Sequence, residues 1–253
     1  MKLPGALFLL LISTIVSGQD NSEKFKTEIS KSAYINPKDV KNEILSFDIG
    51  QLLTRTNNAS IMGFIGSEYQ RIRMKFVSVI KNKAVTDQYF VYGKSMVKDN
   101  VCEFQGTLKI TGAYYLKESE SDVKQGVIVG DYTFYENPSQ KHVGEFKGSF
   151  KTEFYIDKQG IIQYDDLNGD ADGFSNNEFV GTWTSYGGKI SKPCNWGDHR
   201  IPMSGDLDGG SGEFIPDAKY MANGWLNYKQ AYFGSQDKLA EDARKKENSE
   251  WWK

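Results

Sequence analysis

From Val143 to Ile156 the chain alternates without a break, and so regular an alternation leaves few folds open. Gly144, Phe146, Gly148, Phe150, Thr152, Phe154 and Ile156 share one parity. Glu145, Lys147, Ser149, Lys151 and Glu153 share the other. A helix would scatter these charges around its circumference, whereas a strand sorts them into one dry and one wet face. The stretch therefore predicts a long, half-buried strand.

The same period recurs upstream. Cys102, Phe104, Gly106, Leu108, Ile110, Gly112, Tyr114 and Leu116 alternate with polar residues, as do Ile72, Met74, Phe76 and Ile80. Shorter candidates are Tyr89–Val97, Val127–Tyr135, Ile161–Tyr164 and Phe179–Tyr186, separated by turn-rich joints such as Asn137-Pro138-Ser139. Most joints are too short for crossover helices, so neighbours should run antiparallel as a meander. Glycines interleaved with Phe and Leu on the buried face let a sheet bend sharply. The expected fold is mostly β: about seven to eight long antiparallel strands in a coiled sheet or up-and-down barrel, with a short N-terminal and a C-terminal helix. A twisted open sheet is the alternative, since closure is not written in the period.

This divides the chain into a leader (1–18), an N-terminal segment (19–66), a β domain (67–186), a Gly- and Asp-rich ordered loop region (187–235) and a C-terminal helix (236–253). Asn36-Pro37 ahead of Val40, Ile44 and Leu45 suggests the short helix, capped at Asn36. Lys2, the apolar run Leu7–Ile12 and the small residue Gly18 read as a cleavable secretory signal. The mature chain should then start at Gln19, in a secreted or periplasmic location. No later apolar run reaches the length of a membrane span. A net charge of −2 without basic blocks argues against a nucleic-acid partner. In an exported chain, the only two cysteines, Cys102 and Cys194, are expected to form a disulfide. In the chain-entropy account, a bridge closing so long a loop stabilises by roughly 4–5 kcal/mol.

Chemistry is concentrated in Asp165-Asp166-Leu167-Asn168-Gly169-Asp170-Ala171-Asp172-Gly173. Oxygen-bearing side chains at every second position can wrap a calcium ion. The segment resembles the loops of EF-hand and dockerin-type calcium sites, which implies Asp166, Asn168, Asp170, Asp172 and Glu178 as ligands. It departs from them at Ala171 and in the spacing to Glu178, and an ordinary acidic turn is the competing reading. A second acidic stretch, Asp206–Glu213, could add oxygens if it folds against the first. Two histidines, His142 and His199, cannot build a three-histidine zinc site. No nucleophile elbow, phosphate loop or dinucleotide fingerprint occurs, and no catalytic residue is nominated.

Gly181-Thr182-Trp183 resembles the Gly-x-Trp element of lipocalins and the Gly-Thr-Trp of avidins. Gly144-Glu145-Phe146-Lys147-Gly148 is similar to an avidin strand. Both families are up-and-down barrels that hold small ligands, although there the element opens the first strand. As a whole the chain resembles exported proteins of the bacterial envelope, a class that implies no activity. The leading expectation is a non-catalytic secreted β protein that binds a small molecule, glycan or protein partner. Trp183, Tyr186, Trp196 and Trp225 are its candidate ligand surface, because aromatic faces stack on sugars and apolar molecules. The alternative is a carboxylate- or metal-dependent hydrolase. An enzyme should join the two acidic segments in a cleft, and a binder should show an aromatic cavity mouth.

Overall fold

A computed structural model describes residues 18–253 with the exception of 121 and 236. All of the expected leader but Gly18 lies outside the described residues. Nine strands follow two N-terminal helices, α1 (Gly18–Ser30) and α2 (Lys41–Ile44). They are β1 (Ile61–Ile65), β2 (Gln70–Lys81), β3 (Gln88–Val97), β4 (Asn100–Tyr115), β5 (Lys124–Glu136), β6 (Gly144–Ile156), β7 (Ile162–Tyr164), β8 (Asn176–Ser185) and β9 (Ser191–Asp198). Helices α3 (Leu226–Phe233) and α4 (Lys238–Glu247) complete the chain.

Eight strands close into an antiparallel barrel in the order β1-β2-β3-β4-β5-β6-β8-β9, with β9 returning to β1. The short β7 adds to the far end of β6. The alternation in β6 holds: Phe146, Phe150 and Phe154 point into the core, and Glu145 and Lys147 point out. Phe76, Phe104, Tyr132, Phe134, Phe179 and Trp196 fill the interior, with Phe179 stacked on Trp196 at 4.7 Å. The inward glycines have a specific use here. A Cβ on Gly181 would lie 2.2 Å from the Lys147 carbonyl and 2.5 Å from the Tyr132 hydroxyl. Gly148 faces Gly181 across the β6–β8 pair, so the Tyr132 ring has room that any larger residue would take.

The two ends differ. One is sealed by the N-terminal segment, whose Ile44, Ile49, Leu52 and Leu53 are buried in the main core. Lys81 secures that plug by donating to the carbonyls of Leu45 (2.5 Å) and Phe47 (2.6 Å). The other end carries the β1–β2, β3–β4, β5–β6 and β8–β9 connections and is open.

Several expectations are corrected. Cys102 and Cys194 are both free thiols. β4 and β9 stand opposite each other in the ring, so the two side chains enter from facing walls. A disulfide needs Cα atoms about 4.4–6.8 Å apart, a reach that adjacent strands offer and opposite walls of a filled barrel do not. The β domain is also longer than 67–186, because β1 precedes it and β9 lies inside the presumed loop region. The helix near Pro37 starts one turn late. Asn36 accepts from the Lys38 N–H in a local turn, and Asp39 accepts from that of Lys41. The C-terminal helix is α4, shorter than 236–253, and α3 precedes it.

Outside the barrel, Phe25 of α1 is buried, and Lys26 of the same helix pairs with Asp131 at 2.7 Å. A second hydrophobic cluster joins Met62 and Phe64, on the outer face of β1, to Phe214, Trp225 and Tyr228. Among the described residues no helix is long and apolar enough to cross a membrane.

Candidate functional site

The open end leads into a cavity of about 570 Å3, within the range of small-molecule pockets. Every one of the eight barrel strands contributes to its wall, among them Ile65, Ile72, Val97, Cys102, Phe146 and Trp183. The wall is mainly apolar because the inward parity of each strand continues to the rim. Lys98, Asp99, His142 and Lys192 also line the opening.

One buried inward position at this end carries a charged group. Tyr132, Phe134 and Glu136 share a parity on β5, so the last residue of the strand carries a carboxylate into the interior, where it is only 4% exposed. Its Oε1 accepts from the Ser95 hydroxyl at 2.6 Å. Its Oε2 accepts from the Gly144 N–H at 2.9 Å and from the Trp183 indole N–H at 2.8 Å. Burial pushes the carboxyl pKa above its ordinary value, and the three donors pull it back. Burial, seconded by this carboxylate, lifts the Cys102 thiol to about 11. Tyr186 donates its hydroxyl to the Glu136 carbonyl.

Two of the four expected aromatic residues, Trp183 and Tyr186, thus gather around Glu136. The other two have packing roles. Trp196 lies in the ring stack of the core, and Trp225 donates to the Tyr69 carbonyl at 2.8 Å beneath the guanidinium of Arg71. Glu136 is not among the residues the sequence nominates, because the strand predicted over Val127–Tyr135 stops one residue before it, whereas β5 runs to Glu136. The signal was its parity, in phase with Tyr132 and Phe134.

The five expected calcium ligands are dispersed. Asp166 pairs with Arg55 at 3.1 Å, and Glu178 pairs with Lys151 at 2.7 Å. Asn168 takes part in the turn, where its carbonyl accepts from the Ala171 N–H. Asp170 and Asp172 face a separate cleft of about 370 Å3, with Glu213 and His199 also on its wall. The two acidic segments do touch there, through the Gly173 N–H to the Gly212 carbonyl at 2.9 Å. The rest of the second stretch is internally committed: Asp208 to Arg200 and Asp206 to Lys219, both at 2.6 Å. Among the described residues no three metal-ligating side chains cluster.

At the sealed end, Asp198 is buried and accepts from Thr56 (2.6 Å), Asn177 (2.7 Å) and Tyr164 (3.1 Å). Burial first, against these three donors, raises its carboxyl to about 7. Its neighbour His199 is exposed and edges onto Phe174 at 5.1 Å, so the adjacent pair forms no dyad.

The chain matches no family model, no curated protein and no solved structure in the comparisons made.

Proposed function

We propose that this is a non-catalytic, exported binding protein that takes a small, mainly apolar molecule into the open end of its barrel. The observation that carries the reading is the cavity of about 570 Å3 walled by all eight strands, with Glu136 and Trp183 held against each other inside it. An apolar wall with a few fixed polar groups is what small-molecule pockets share. Their side chains are already positioned by the sheet, so little ordering would oppose binding. Export rests on the leader sequence at Lys2–Gly18.

The test is titration with a neutral solvatochromic dye, for the unaltered protein and for Val97→Phe, which fills the cavity from its wall. The unaltered protein should bind and brighten the dye. The variant should bind about tenfold or more weakly, roughly the 1.4 kcal/mol that a blocked apolar contact surface forfeits. Its melting temperature should be little changed, because Val97 is only partly buried. Equal binding by both proteins would move the ligand site away from the mouth.

A further inference from the structure

The chemical class of the ligand can be argued from Glu136, on the premise that the mouth is the ligand site. Among the other enclosed carboxylates, Glu247 has its cation in Arg71 and Asp208 in Arg200, both at 2.6 Å, whereas Asp198 has neutral donors only but borders a space of about 10 Å3, too small for a ligand. Glu136 is as deeply buried, yet its side-chain partners are a hydroxyl, an amide and an indole, all neutral. Among the described residues it forms no ion pair, although Lys98 and Lys192 line the same opening. Its three donors hold the carboxylate in one orientation and leave part of its acceptor capacity unused, since an ionised carboxylate offers about four acceptor sites.

A buried charge without a counter-charge is costly unless something supplies one. Every protein atom bonded to this carboxylate is a donor, so a ligand group that reaches it must also donate. An acceptor such as a ketone, or a second anion, would meet like polarity there. Trp183 adds an aromatic ring beside the same carboxylate, a combination that suits a cation. Ile65, Ile72, Val97 and Phe146 supply apolar surface to the rest of the wall, with Gln70 and Asn100 as neutral polar groups among them.

We infer that the mouth binds cationic amphiphiles: an apolar body seated against the barrel wall and carrying a protonated amine that pairs with Glu136. The lysines at the rim do not oppose this strongly. Both are exposed at the solvent edge, where charge is screened within about 8–10 Å.

Three probes that share one dansyl-alkyl body separate the outcomes: one ending in a primary amine, one in the acetylated amine and one in a carboxylate. Binding is read by dansyl fluorescence at neutral pH. The amine should bind about tenfold tighter than its acetylated form, as a desolvated charge-assisted hydrogen bond implies. In Glu136→Gln the amine should fall to the level of the acetylated probe, whose own affinity should not change. Equal binding of amine and acetylated probe by the unaltered protein, or tighter binding of the carboxylate, overturns the class. So does a preference for the amine that survives Glu136→Gln. The comparison within the unaltered protein needs no variant and decides the question even if Glu136→Gln folds poorly. If none of the three probes binds, the mouth itself is not the ligand site, a failure distinct from a wrong choice of class.

Discussion

Asp198 and the two cysteines show what single residues cost once the barrel has closed over them. In an unfolded chain an aspartate titrates near 3.9, whereas here burial raises it to about 7. Between about pH 4 and pH 7 the folded protein therefore keeps a proton that the unfolded chain has lost. Stability is gained as pH falls through that window and is lost as pH rises to 7, by roughly 3–4 kcal/mol in total if the full shift is expressed. Asp198→Asn should abolish that slope, so urea melts at pH 5 and pH 8 should differ less in the variant than in the unaltered protein. An unchanged slope would show that Asp198 is ionised in both states. The thiols give a second expectation. Both have raised pKa values, so iodoacetamide should leave Cys194, enclosed in the core, untouched in the native protein and modify Cys102, on the cavity wall, only slowly. It should label both after denaturation without reductant, as mass spectrometry would show; labelling that required reductant would restore the disulfide. Cysteine count and compartment could suggest a pair, but they carry no information about which walls the two strands occupy. Parity with Tyr132 and Phe134 marks Glu136 as inward, but the strand predicted over Val127–Tyr135 stops one residue short of it.

At the scale of elements, period two was a reliable guide wherever a strand had one wet and one dry face, as in β4 and β6. It failed for β1 and β9. β1 carries Met62 and Phe64 outward because α3 and the preceding loop cover them, so both faces are apolar and no alternation survives. β9 contains Pro193 and buries Asn195, whose side chain donates to the Pro202 carbonyl at 3.1 Å. Helix α1 was unread because its composition is polar, and its stability comes from packing on the barrel. Helix α4 is tied to β2 by Arg71, which donates to Glu247 at 2.8 and 2.6 Å, and by Arg73, which donates to the Glu247 carbonyl at 2.5 Å. Asn227 of α3 donates to the same carboxylate at 2.5 Å. Glu247→Ala would leave the Arg71 guanidinium buried without its partner, a change that costs about 3–5 kcal/mol. The expected result is a lower urea midpoint together with faster amide exchange throughout α3 and α4. Slow exchange in those helices would show that the hydrophobic cluster holds them alone.

The whole molecule depends on one pairing that no local pattern contains. A meander of consecutive hairpins is legible strand by strand, but closure requires Ile61–Ile65 to meet Cys194–Asp198 across almost the entire domain. Whether it happens depends on twist, stagger and the fill of the interior together. A chain ending before Ser191 should therefore lack more than one strand: β1 and β8 would both be left as open edges beside an uncovered aromatic interior. Such a truncation is expected to aggregate when expressed, and a soluble, cooperatively melting product would show that the sheet is stable open. The sealing strand is also the last of the ring to be synthesised. A nascent chain emerging from the ribosome holds the strands β1 to β8 before it holds the one that locks them, and pairings so distant in sequence form slowly. Under the export proposed above, that delay would be useful, because the chain would stay unlocked and pullable until its final strand had been delivered.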